Sequence, residues 1–191
     1  IFKMRGFILF LILMAMAGAA EQAIAQWASY FAEVSLGISN KTTGDLLGAC
    51  LFALGMAISR TAYGFLGDKM NLKLAIAFCA ALLTGAYLLA SLSPIPYLSL
   101  AGIALSGLFV GIMWPGIYSL AGKSFPVGGT KMFGMLALAG DVGCTIGPSL
   151  QGIITSDIKT GLLFSTIYPL ILFIGIMILC IPKKKEQSEL R

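Results

Sequence analysis

The sequence contains no histidine. That absence removes the usual zinc ligand, the usual general base near neutral pH, and every Ser-His or Cys-His nucleophilic pair. Charge is scarce as well: 11% of the 191 residues are charged, against about a quarter in a soluble domain. The four cysteines, Cys50, Cys79, Cys144 and Cys180, stand singly with no CxxC pair. They suggest neither a zinc site nor a disulfide framework and read as small apolar packing residues. The patterns HExxH, GxSxG, GxxxxGK(S/T) and GxGxxG are also missing, so the expectation is no enzyme, no metal and no cofactor. An enzyme would have to work with carboxylates, Lys, Tyr or thiols on intramembrane helices.

What is present is apolar length. Hydrophobic residues make up 58% of the chain and the mean hydropathy is +0.93. They arrive in stretches long enough to cross about 30 Å of hydrocarbon. Six spans are predicted near residues 6–31, 44–66, 72–92, 97–122, 131–155 and 162–182, which makes an all-α, polytopic membrane bundle. Polar turns such as Ser93-Pro94-Ile95-Pro96 and Ser156-Asp157 separate them, and short connectors imply antiparallel neighbours.

Six spans place both ends on one side. That side collects Lys3, Arg5, Arg60, Lys69, Lys73, Lys123, Lys131, Lys183, Lys184, Lys185 and Arg191, leaving Lys41 and Lys159 on the other. The asymmetry predicts cytoplasmic termini in a plasma (inner) membrane, with residues 183–191 as a basic cytoplasmic tail. It also accounts for the net charge of +5 without nucleic acid. Residues 3–20 resemble a cleavable secretory signal, but the apolar character resumes through Ala23, Ile24, Trp27 and Phe31, which favours a full first span. Ile1 opens the chain and the first Met is Met4, the look of an internal piece of a longer protein.

Ionisable groups in hydrocarbon cost several kcal/mol unless paired, neutralised or wet, so each is a candidate site. Glu21 lies about 24 Å along the helix from Arg5, at about 1.5 Å per residue. Gln22, Gln26 and Tyr30 share one stripe, which suits either a neutral polyol or hydrogen bonds between helices. Asp141 falls near mid-membrane in residues 140–148, GDVGCTIGP. There Gly140, Gly143 and Gly147 form a face for close helix contact and Pro148 is expected to kink the helix. Asp141 reads either as a proton-coupling carboxyl or as a structural ion pair, with Arg60 as the available cation. Trp114 and Tyr118, one turn apart beside Pro115, suit a sugar, a gate or plain packing.

Residues 60–73, RTAYGFLGDKMNLK, resemble the cytoplasmic loop of the major facilitator superfamily, approximately G-x-L-a-D-(R/K)-x-G-(R/K)-(R/K). Gly64, Leu66, Asp68, Lys69 and Lys73 match, whereas Asn71 replaces a glycine and Leu72 a basic residue. The segments WPGIYSL, GTKMFGMLALAGDVG and GPSLQG resemble the tenth and eleventh helices of the fucose-permease-like branch of sugar transporters. The resemblance implies the C-terminal half of a twelve-helix secondary active carrier, built from two three-helix inverted repeats over residues 6–92 and 97–182. Residues 43–48, before the second span, are similar to residues 130–134, before the fifth, as such a repeat implies.

By the same resemblance the chain binds a small polar solute, a proton-coupled sugar among the candidates, by alternating access. Gln22, Gln26, Trp114 and Tyr118 would line its cavity, Glu21, Asp141 and Arg60 would hold the coupling charge, and Gly64, Asp68, Lys69 and Lys73 would form the cytoplasmic gate. Partners would be the lipid bilayer and an N-terminal six-helix half or a second copy. The rival reading is a stand-alone six-helix protein acting as a homodimeric channel or assembly subunit.

Overall fold

A computed structural model of the chain describes residues 6–36, 41–67, 69–154 and 156–181. Lys3, Arg5, Asp68 and the tail 183–191 lie outside them. Among the described residues the regular structure is helical. Six spans are long and apolar enough to cross a membrane: Phe7–Val34, Thr42–Leu66, Leu72–Leu92, Pro96–Ser124, Gly129–Ile154 and Ile158–Cys180. The sixth begins four residues before its predicted start because Asp157 caps it, its side chain accepting the Thr160 N–H at 2.9 Å. Asn71, Ile95 and Asp157 each take extended backbone just before a helix, and Pro96 opens the fourth span, where its missing N–H costs nothing.

Several spans depart from a straight α-helix. The first breaks between Phe7–Ala25 and Ala28–Leu36, the fourth between Pro96–Val110 and Met113–Ser124, the sixth between Ile158–Ser165 and Ile167–Cys180. In the fourth, Pro115 has no N–H to offer the Gly111 carbonyl, and regular bonding resumes with Gly116 N–H to Ile112 O at 2.8 Å. Pro148, by contrast, lies inside the continuous helix Gly129–Ile154, so the expected kink there is no break in the helix. The second span includes a π-helical turn, Asp45–Cys50, where Gly48 lets the outer part of the first span close in: an added Cβ would stand 2.1 Å from the Ala28 carbonyl.

The first span packs against the fifth, fourth and sixth, the fourth also against the second and third, and the third against the sixth. Exchanging the first three spans with the last three maps these contacts onto one another, while the packing of the first span on the second and of the fifth on the sixth has no counterpart of that extent. The correspondence extends to residues. A Cβ on Gly55 would meet the Ala104 carbonyl of the fourth span, as one on Gly143 would meet the Ala15 carbonyl of the first. Gly107 abuts Phe52 O as Gly18 abuts Gly140 O. Lys73, at the start of the third span, donates to Leu179 O at 2.7 Å near the end of the sixth. Lys159, at the start of the sixth, donates to Ser93 O at 2.8 Å just past the end of the third. Counterparts lie about 86 to 89 positions apart, and the opposite direction of the paired spans makes the repeat inverted.

The core is apolar and dominated by the first span: Phe7, Phe10, Leu13, Met14, Ala17 and Ile24 are buried there, beside Tyr87, Ile103, Met113 and Ile117. Buried serines return their hydroxyls to backbone carbonyls, Ser91 to Tyr87 at 2.8 Å and Ser106 to Ile103 at 2.6 Å. Outward positions are apolar too, with Phe78 65% and Ile153 79% exposed, a surface suited to lipid and not to water.

Candidate functional site

The first span passes through the middle of the bundle on small residues, Ala17, Gly18, Ala19 and Ala20, all buried. That close packing carries Glu21 inside: its side chain is 12% exposed. A carboxylate there needs a partner. Arg60 of the second span supplies it, its Nη2 donating to Glu21 Oε2 at 3.2 Å. The Arg60 side chain is 47% exposed, so its guanidinium bridges a buried acid and an open space.

That space is a cavity of about 360 Å³ lined by Arg60, Tyr63, Trp114, Pro115 and Tyr118. The break before Met113 and the turn of helix after it set Trp114 and Tyr118 on one side, their ring centroids 6.4 Å apart. Gly140 makes room for the indole, since a Cβ there would stand 2.5 Å from the Trp114 ring. Tyr118 continues to Phe133 at 5.9 Å. Tyr63, one turn beyond Arg60, donates its hydroxyl to Ser119 Oγ at 2.7 Å, which ties the second span to the fourth. Asp141 and Cys144 of the fifth span lie within electrostatic reach, Asp141 acting on Tyr118 and both Glu21 and Asp141 on Cys144.

The residues singled out from sequence are therefore divided. Glu21, Arg60, Trp114, Pro115 and Tyr118 come together. Gln22 is half-buried and Gln26 exposed on the first span, and neither lines the cavity. Asp141, expected to be buried, is exposed, and the cation proposed for it, Arg60, is given to Glu21. The reason is the glycine face: Gly140, Gly143 and Gly147 turn toward the first span and Trp114, which swings Asp141 to the uncovered side. There it heads a stripe with Thr145 and Ser149, whose hydroxyls bond back to Asp141 O at 3.0 Å and Thr145 O at 2.7 Å.

Of the loop residues, Gly64 is exposed with open space around it, Lys69 is exposed, Lys73 is spent on Leu179 O, and Asp68 lies outside the described residues. Tyr63 and Ser119 were not anticipated. The spacing of Tyr63 from Arg60 and the adjacency of Ser119 to Tyr118 were the available signals.

The family described as Major Facilitator Superfamily matches residues 6–191. None of the curated proteins compared with the chain matches it.

Proposed function

The chain belongs to the Major Facilitator Superfamily, a family of membrane transporters, so it is a multi-pass membrane protein that serves the movement of a solute across a bilayer; from that premise we propose that the solute is a small neutral polar molecule, a monosaccharide first among them, carried by alternating access with a proton as the coupling ion. The observation that carries this reading is the Glu21–Arg60 pair beside the aromatic cavity. Paired, the two charges cancel, which suits an uncharged cargo. Trp114 and Tyr118 offer faces to sugar C–H groups, and Arg60 and Tyr63 offer hydrogen bonds to hydroxyls. Protonating Glu21 removes the counter-charge of Arg60 and frees the guanidinium, which links a proton to the shape of the cavity.

The same chemistry implies a partner. The second and fifth spans are the least covered, with 17% and 28% of their apolar windows buried, and their uncovered faces bear Arg60, Asp141, Thr145 and Ser149. Such groups do not face hydrocarbon. We assign this face to a second six-helix unit, the N-terminal half of the same carrier or another copy. The lysine-rich end, carrying Lys69, Lys73, Lys123 and Lys131, is assigned to the cytoplasm.

The test is uptake into proteoliposomes made with the carrier as encoded, using radiolabelled glucose, galactose, fucose and arabinose. One of them should accumulate when the lumen is made alkaline. Glu21→Gln should retain exchange of that sugar within about threefold while losing accumulation. No movement of any of the four, or accumulation indifferent to the proton gradient, overturns the reading.

A further inference from the structure

The fifth span carries a charge that the transport reading leaves unused. Asp141 lies ten residues in from Lys131, about 15 Å along the helix at about 1.5 Å per residue, near the middle of a hydrocarbon core about 30 Å thick. It is exposed, and among the described residues the ion pair is that of Glu21 with Arg60, so Asp141 has no cation there. The neighbouring hydroxyls do not engage its carboxylate: Thr145 donates to the Asp141 backbone carbonyl and Ser149 to that of Thr145.

Two contacts tie Asp141 to the cavity at Arg60. The residue before it, Gly140, is the one against which the Trp114 indole packs, since an added Cβ would stand 2.5 Å from that ring. Asp141 also acts electrostatically on Tyr118, and both rings line the cavity. Arg60 therefore borders the cavity from the second span, and Asp141 approaches it from the fifth.

The charges can then be summed. Away from the ends of the spans, the charged residues among those described are Glu21, Arg60 and Asp141. Glu21 and Arg60 cancel at a distance, and one negative charge remains. Lys131 is too far along the helix to offset it, because salt water screens charges over about 8 Å. Inside a bundle the effective dielectric is well below that of water, so a single charge acts across a cavity. A protonated amine gains from it, a hydroxyl is indifferent, and a carboxylate is repelled.

We propose that Asp141 is a specificity-determining residue of the cavity at Arg60 and Trp114, ranking sugars of one shape by charge: an amino sugar over a neutral sugar, and a neutral sugar over a sugar acid. This rests on the reading of that cavity as the cargo site and adds the charge class of the cargo.

The first arm of the test reads the charge without any cargo. In the carrier as encoded, freed of its own cysteines and bearing Tyr118→Cys, modification by a cationic and by an anionic methanethiosulfonate is timed, each rate taken relative to a free thiol in solution. The cationic reagent should be favoured by about fivefold or more, and Asp141→Asn should bring the ratio below about twofold. Asp141→Glu, which keeps the charge, should keep the preference. A ratio near unity, or one that Asp141→Asn leaves in place, overturns the proposal; a cation of the other six-helix unit already seated on Asp141 would give that result.

The second arm keeps Tyr118 and adds galactosamine, galactose or galacturonate as competitors against whichever labelled sugar the proteoliposomes carry. Half-inhibition should come at rising concentration in that order, over a span of about tenfold or more that shrinks to about threefold in Asp141→Asn. Competition that ignores charge overturns this proposal alone and leaves the transport reading standing. Carriage of none of the labelled sugars overturns both.

Discussion

At the scale of the residue, the Glu21–Arg60 pair shows how a buried charge constrains its neighbours. Removing Arg60 leaves a mostly buried carboxylate without its cation, whereas removing both charges leaves nothing uncompensated. Arg60→Met should lower stability by about 1–3 kcal/mol, discounted because the guanidinium is half exposed, and Glu21→Gln/Arg60→Met should recover at least half of that. Thermal unfolding in detergent compares them; equal losses would show that the pair has no structural weight. Asp157 provides a second case, outside the membrane. Hydrogen bonds from the Thr160 hydroxyl and N–H hold its carboxyl below the usual range. A carboxyl with a depressed folded value stabilises above the unfolded value of about 4 and loses that contribution as pH falls through the folded one. Asp157→Ala should cost about 1 kcal/mol at pH 7 and much less near pH 3, read from melting curves at the two pH values.

At the scale of the element, glycine decides which spans touch. A Cβ on Gly143 would stand 1.9 Å from the Ala15 carbonyl, while one on Gly85 would meet nothing within 4 Å. Gly143→Ala should therefore destabilise by about 1–3 kcal/mol through overpacking. Gly85→Ala, on an exposed helical position, should be neutral or stabilise by up to about 1 kcal/mol. Melting temperatures of the two variants test this, and similar shifts would argue against the packing account. Pro115 and Pro148 differ in the same way. Pro115 follows a helix break at Gly111 and Ile112, whereas Pro148 is buried in a helix that continues past it. Two prolines that look alike in sequence have different consequences because their surroundings differ.

At the scale of the whole molecule, the inverted repeat pairs the main contacts between the two sets of three spans. Lys73 and Lys159 lock the third and sixth spans together at opposite ends. Lys73→Met and Lys159→Met should each lower stability, by comparable amounts of about 1 kcal/mol, and hydrogen exchange should rise at the carbonyl-bearing span end in each. A loss in one variant alone would break the equivalence. Orientation is checked separately. In a background without its own cysteines, Lys159→Cys should react with a membrane-impermeant maleimide added to intact cells, and Lys69→Cys only after permeabilisation. The reverse pattern would invert the assigned topology.

Hydropathy and length by themselves determined the helical class, and the approximate limits of the six spans could be read from them, because twenty apolar residues without a charge admit few other arrangements. The loop after the second span pointed to the family, since a turn between antiparallel helices leaves a local pattern. Pairings between distant residues left no such trace. Glu21 and Arg60 are 39 positions apart, and nothing periodic distinguishes Arg60 as the partner of Glu21 from Arg60 as the partner of Asp141. The side of the fifth helix that faces inward was decided by which glycines met the first span. The repeat was almost silent in sequence because backbone carbonyls, not matching side chains, form most of its equivalent contacts.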